Sequence, residues 1–301
     1  MRILIAAMIV MICLLPGCKG SDVSTSSAPK VRQVVIGLIP EQNIFHQIER
    51  YQPLADYLSS KLDLDVKLKV IPGYGNLINN FSSSGVDGAF FGSFTYVLAH
   101  EKLGVEVLVR PEYSDGTSTY HGLIFVRKSS GIRSVKEMKG KIFAFVDKST
   151  TAGYLLPLEY FHEHGIKNYR SYLKEVYYAG THEDAVFDVL NGKADIGAAK
   201  NTIYEKLAAE HGRVEGELRI ITRSPDVPEN GLAVRKDLDA SVKEKLKQGL
   251  LDMDKTDEGR KVLKQFGAAR FIETIDKDYE SVYRYAGEIG LDLKSFRVSE
   301  R

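Results

Sequence analysis

The chain has 301 residues, enough for about two domains, with 44% hydrophobic and 27% charged residues. That composition excludes a disordered or fibrous protein. With 41 Lys+Arg against 40 Asp+Glu, the net charge of +1 excludes a broad nucleic-acid or polybasic membrane surface. A local anion site is still allowed, since it needs only backbone N–H groups and a few hydroxyls. Both cysteines, Cys13 and Cys18, lie in the first 18 residues. No disulfide framework, zinc site or thiol nucleophile is therefore expected downstream.

Residues 1–17 read as a signal peptide, with a minimal basic start at Arg2, an apolar stretch over 3–15, and then LPGC. The last four residues resemble the bacterial lipobox, with Pro16 where a small residue is usual. The resemblance implies that Cys18 is lipidated and becomes the mature N-terminus; a plain signal peptide cut nearby is the alternative. Loss of Arg2 with this leader makes the mature chain neutral. Residues 18–30 are small and polar and read as a flexible tether. No later run of about 18 apolar residues suggests a spanning helix.

The body reads as α/β. Strands are expected at 34–39, 65–71, 86–91 and 105–110, with helices at 47–62, 77–83 and 95–102 between them. The order then recurs: strands at 141–146, 172–178 and 194–198, with helices at 152–164, 183–190 and 203–210. The third strands of the two units are alike (GVDGA and KADIG). Each unit is strand–helix–strand–helix–strand, which argues for two open α/β lobes. Two further segments match, GLIFVRK at 122–128 and GLAVRK at 231–236. They bracket the second unit and look like a double-strand hinge. This gives one lobe from 31–122 plus 231–301, with residues from 238 onward helical, and an inserted second lobe at 123–230. Ligands bind such sheets at the carboxyl ends of strands, so two facing lobes make one cleft.

The sharpest segment is 147–154 (DKSTTAGY). Thr150 and Thr151 offer hydroxyls, and the backbone at Thr151, Ala152 and Gly153 offers N–H groups at a helix start, where the dipole favours an anion. Ordinary N-capping is the alternative. Tyr74 stands between two glycines at a strand end, able either to point into the cleft or to pack. Ser93 offers a hydroxyl in the same way, or caps the next helix. Tyr120 precedes the first hinge strand, and His182 either donates to an oxyanion or dresses a helix start. His162 and His164 face different sides of a helix, so no metal pair is expected there. No phosphate-binding glycine loop, nucleophile elbow or zinc motif is present.

Together the turn at 72–74, the FGS at 91–93, Tyr120, STTAGYLLP at 149–157, GTHE at 180–183, Asn201-Thr202 and SPDVPENGLAVRK at 224–236 resemble the phosphate/phosphite/phosphonate-binding proteins of ABC importers, with the two-lobed type II periplasmic binding fold. The resemblance spans about residues 34–267. It implies that Thr150, Thr151 and the N–H of Ala152 hold a phosphorus oxyanion, that Tyr74 and Tyr120 line the cleft, and that His182 contacts the ligand. Ser93, Ser149, Asn201 and Asn230 are further candidates. The family often carries a third hydroxyl where Ala152 stands, so one contact is missing. Its amine-binding carboxylates fall at Ile203 and Asn230 here, which implies a ligand without an amine, since an unpartnered buried ammonium is costly. A neutral His182 acting as acceptor would discriminate oxyanions that bind protonated from sulfate.

The expectation is therefore an extracytoplasmic lipoprotein, at the periplasm or cell surface, that captures phosphite, an alkylphosphonate or phosphate for an ABC permease. It would be a monomer touching the membrane only through the Cys18 lipid, with no cofactor, no metal, no nucleic acid and no enzymatic activity. A sensor signalling to a receptor or kinase, the same fold binding another oxyanion, and an enzyme on this fold are the competing classes.

Overall fold

The structure, a computed structural model, describes residues 31–81 and 83–298; the leader, the tether and Cys18 lie outside the described residues. Its strands in chain order are β1 (Arg32–Leu38), β2 (Leu64–Val70), β3 (Gly88–Phe91), β4 (Glu106–Glu112), β5 (Thr119–Tyr120), β6 (Gly122–Arg127), β7 (Ile142–Phe145), β8 (Glu175–Tyr178), β9 (Ile196–Lys200), β10 (Leu218–Arg223), β11 (Val227–Pro228), β12 (Gly231–Val234) and β13 (Arg270–Glu273).

They form a six-stranded sheet, β13-β4-β12-β3-β1-β2, a five-stranded sheet, β10-β6-β9-β7-β8, and a two-stranded ribbon of β11 and β5. In the first sheet β1 pairs in parallel with β2 and β3, and in the second β7 pairs in parallel with β8 and β9. Short apolar runs without strict polar alternation suit such strands because both faces are covered. On β1, Val34, Ile36 and Leu38 pack with Tyr51, Leu54 and Leu58 of the Ile44–Leu62 helix. The opposite face packs on the helices Tyr74–Asn80, Ser93–Leu103 and Glu280–Glu288. In the second sheet Phe125 and Ala144 face Val186 and Leu207, while Phe143 and Phe145 face Phe161.

The two matched segments are not a hinge. β6 lies inside the five-stranded sheet, antiparallel to β9, and β12 lies inside the six-stranded sheet, antiparallel to β3. They resemble each other because they fill equivalent positions beside the third parallel strand of each sheet. The chain crosses between the sheets at the β5–β11 ribbon, just outside them, where Tyr120 pairs with Val227 and Thr119 with Pro228.

Other expectations need correction. The helix expected at 77–83 runs over Tyr74–Asn80, because Gly73, at φ 85, turns the chain into it and leaves no side-chain cap to read. Tyr169–Tyr172 is a helical turn, capped by Asn168 accepting from Ser171 N–H at 3.2 Å, so the following strand begins only at Glu175. The stretch from 238 onward is not wholly helical: β13 adds an antiparallel edge to β4. Beyond the last helix, Phe296 sits against Phe94 at 5.8 Å and Tyr154 at 6.3 Å, one ring from each side of the divide.

Candidate functional site

The polar residues gather where parallel strands end. After β7 the chain makes the loop containing Ser149 and Thr150, then a wide π turn, Thr151–Leu155, running into the Leu156–Glu163 helix. Leu155 N–H donates to Thr150 O at 3.1 Å, which leaves the first N–H groups of the turn without intrahelical acceptors. Gly153 makes the turn possible: its carbonyl accepts from Val146 N–H, and a Cβ there would lie 2.4 Å from Val146 Cγ2 and 2.8 Å from Thr150 Oγ1.

The loop also binds itself. Asp147 accepts from Ser149 N–H at 2.9 Å and from its hydroxyl at 2.6 Å, and Thr150 Oγ1 donates to Asp147 O at 2.7 Å. Burial raises the Asp147 carboxyl above its ordinary value. Ser149, Thr150, Thr151 and Ala152 are all buried.

Opposite this turn stands the start of the Ser93–Leu103 helix. Phe94 N–H donates to Thr151 Oγ1 at 2.8 Å, and Thr95 Oγ1 donates to Ser149 O at 2.8 Å. Ser93 Oγ donates to Pro228 O of the ribbon. Two helix N-termini, one from each sheet, thus meet at Thr151, and their dipoles both present positive ends to the same point.

Tyr74 and His182 stand beside each other, with Tyr74 close enough to Asp147 of the loop to feel its charge. Tyr74 opens its helix, is 3% exposed, and its hydroxyl is buried with no hydrogen-bond partner. Burial, then Glu41 and Asp147, raise this phenol well above its ordinary value, so it is a neutral donor. Its ring stands edge-on to His182 at 6.4 Å. His182 begins the His182–Leu190 helix and its N–H donates to Glu41 O at 3.0 Å. Its Nδ1 accepts from Lys200 N–H at 3.1 Å. Burial pushes the imidazole down to about 4, so it is neutral and its proton sits on Nε2. The acceptor role expected for His182 is therefore already taken by a backbone N–H; what the ring can present to a ligand is a donor.

The sequence reading did not find the charged cluster at the ribbon. Lys200, the last residue of β9, is 4% exposed, and its Nζ lies 3.4 Å from Glu41 Oε1 and in close contact with Glu229 Oε1. Asn230 Oδ1 is 3.3 Å from the same nitrogen, and the Tyr120 ring centroid 4.4 Å. Asn230 Nδ2 donates to Glu41 Oε1 at 2.9 Å, and Tyr113 Oη donates to Glu229 Oε2 at 2.7 Å. Burial opposes the Lys200 charge, but Glu229 and Glu41 outweigh it and hold the ammonium above its usual range. Burial likewise works against the Glu41 carboxylate, and the charges of Lys200 and Arg50 keep it below its ordinary value. A lysine closing an otherwise small, fully buried strand, IGAAK, was the available signal.

Asn201 is placed differently. Its Oδ1 accepts from His121 N–H and its own N–H donates to His121 O, both at 3.0 Å, so it pins the crossing segment. Ile203 packs in the core beneath the second sheet. A cavity of ≈ 210 Å³ adjoins the site, lined by Gly73, Gly75, Asp147 and Lys148 among others. Among the described residues there is no group of three His, Cys, Asp or Glu side chains arranged for a metal ion, and no helix long and apolar enough to cross a membrane.

Two open sheets joined by a ribbon, with donors from both converging at one point, define a two-lobed periplasmic binding fold. The sequence model of the family described as "ABC transporter, phosphonate, periplasmic substrate-binding protein" matches residues 36–279, and the chain belongs to that family, whose members work outside the cytoplasm with an ABC permease. It is 25% identical over 282 residues, covering 90% of this chain and 92% of the other, to a "Probable ABC transporter phosphite binding protein PhnD1" from Prochlorococcus marinus. A solved structure of PhnD1 from that organism in complex with methylphosphonate has a TM-score of 0.77 at 22% identity, covering 86% of this chain and 98% of that one. A binding protein component of an ABC phosphonate transporter from Pseudomonas aeruginosa gives 0.78 at 22% identity, covering 84% and 85%.

Proposed function

We propose that this chain captures a small phosphorus oxyanion without an amine (phosphite, an alkylphosphonate or phosphate) between its two sheets and passes it unchanged to its permease. The observation that carries the reading is the convergence of donors. Two helix N-termini meet at Thr151, the unpartnered Tyr74 hydroxyl lies within electrostatic reach of Asp147 and Tyr120, and neutral His182 stands against the Tyr74 ring. An oxyanion oxygen entering between Phe94 N–H and Thr151 would accept from both.

Lobes built on residues 31–122 plus 231–301 and on 123–230 would close on the ligand about the β5–β11 ribbon. A ligand favours the closed arrangement only through contacts it makes with both lobes, which this donor set supplies. Ala152 contributes backbone alone, with Thr150, Ser149 and Ser93 buttressing the loops around it. The absence of an amine rests on new ground. Carboxylates do reach the cleft, from Glu41 and Glu229, but Lys200 already pairs with both.

The mature protein would be a monomer held at the membrane by lipid on Cys18. Fatty-acid labelling that disappears in Cys18→Ser tests the anchor; label retained in that variant refutes it. For the ligand, a thermal-shift titration of residues 19–301 would use phosphite, methylphosphonate, 2-aminoethylphosphonate, phosphate and sulfate. A ligand at 100 times its Kd stabilises by about 2.7 kcal/mol, a shift of several degrees. A response to one amine-free phosphorus oxyanion is expected; no response to any of them overturns the reading.

A further inference from the structure

We propose that Lys200 is a specificity-determining residue: its ammonium fills from within a cage that would otherwise receive a ligand's amino group. The inference rests on the oxyanion site proposed above and deepens it.

Two carboxylates, an amide oxygen and the face of a phenol surround Nζ. These are the groups that recognise an ammonium, by charge, by hydrogen bonding and through the ring quadrupole. The walls do not depend on the lysine for their placement. Glu229 is held by Tyr113 Oη at 2.7 Å and by Asn230 N–H at 2.8 Å, and Glu41 by Asn230 Nδ2 at 2.9 Å. Removing the lysine side chain would leave a carboxylate-lined pocket rather than a collapsed gap. Arg50 adds positive potential at both carboxylates, while its Nε donates elsewhere, to Phe266 O.

The cage and the oxyanion site share Tyr120. One face of its ring carries Lys200, and its hydroxyl reaches toward Ser93 and Thr151. The two charges would therefore sit a phenol's length apart, which a short aminoalkyl chain spans. With Lys200 in place, an aminoalkylphosphonate would have to bring a second ammonium into a cage whose centre an ammonium already fills. An amine-free phosphonate meets no such conflict.

The test compares the parent with Lys200→Ala and with Lys200→Ala/Glu41→Gln, which restores the parent's cluster charge and guards against a single variant too destabilised to fold. Calorimetric titrations with methylphosphonate and 2-aminoethylphosphonate give the affinity ratio. Thermal melts with propylammonium chloride against sodium chloride give the response of the cage alone. The parent should prefer methylphosphonate at least tenfold, and truncation should move the ratio at least tenfold toward the amine. A folded variant with an unchanged ratio, or a parent that prefers the amine, overturns the proposal. If the parent binds neither phosphonate, the functional reading fails and the melts decide: stabilisation of a truncated variant by propylammonium upholds the cage, and none overturns it. If neither variant folds unaided, refolding in propylammonium is the readout: recovery supports the cage, and no recovery of either overturns it.

Discussion

Replacing Tyr74 by Phe removes one oxygen and keeps the ring that stands edge-on to His182. That oxygen is buried with no partner. A buried hydroxyl without a hydrogen bond costs about 1–3 kcal/mol of desolvation, so Tyr74→Phe should be more stable than the parent by about that amount in buffer free of oxyanions, a rise of about 2–6 °C. Ligand binding should change in the opposite sense. The neutral phenol would donate to an anion, a bond worth about 1.5–3 kcal/mol, so affinity should fall about 10- to 150-fold. Denaturant melts without ligand and calorimetric titration with methylphosphonate measure the two effects separately. A variant less stable than the parent, or one with unchanged affinity, would refute the reasoning, because the hydroxyl would then have a structural partner or no ligand contact.

The neutral, buried His182 ties stability to pH. Its unfolded imidazole protonates near the ordinary 6.5 and the folded one at about 4, so its stabilisation is full above pH 6.5 and is lost as pH falls toward 4. The separation amounts to about 3 kcal/mol. His182→Asn, whose oxygen can still accept from Lys200 N–H, should lose that part of the slope between pH 7 and 4; an unchanged slope in urea melts would place the acid sensitivity elsewhere. Gly153→Ala forces a methyl against Val146 and Thr150 and should cost about 1–3 kcal/mol together with ligand affinity; full stability would mean that the turn relaxes without strain. Thr151→Val leaves the Phe94 N–H without its acceptor and should destabilise by about 1–3 kcal/mol, and normal affinity in that variant would remove Thr151 from the site.

What the sequence revealed and what it hid follow from how local each feature is. β1 and the Ile44–Leu62 helix carry their own signals, a β-branched apolar run and apolar residues at helical spacing. The Ser/Thr loop was legible for the same reason, because a strand, hydroxyls and a helix start are contiguous. β13 was missed because RFIE is four residues in otherwise helical surroundings and gains its identity only by pairing with β4. The π turn was missed because it depends on Gly153 meeting Val146 across the loop. The cluster of Glu41, Lys200 and Glu229 was missed because it joins three strand ends distant in the chain. The proton position on His182 depends on one backbone N–H at Lys200, which no periodicity could show. The expectation of an amine-free ligand rested on missing carboxylates at positions 203 and 230; carboxylates stand nearby all the same, at Glu41 and Glu229, with Lys200 against both.

The ribbon of β5 and β11 has a consequence for how the molecule can be taken apart. Because the chain leaves for the second sheet at Tyr120 and returns at Val227, directly opposite, the two ends of everything between them are already side by side. A short turn joining the residues before Thr119 to those after Pro228 would close the first sheet without stretching it, and the excised stretch could be carried whole into another host between two adjacent backbone positions. The same adjacency lets insertions and exchanges of the second half accumulate without disturbing the order of strands in the first.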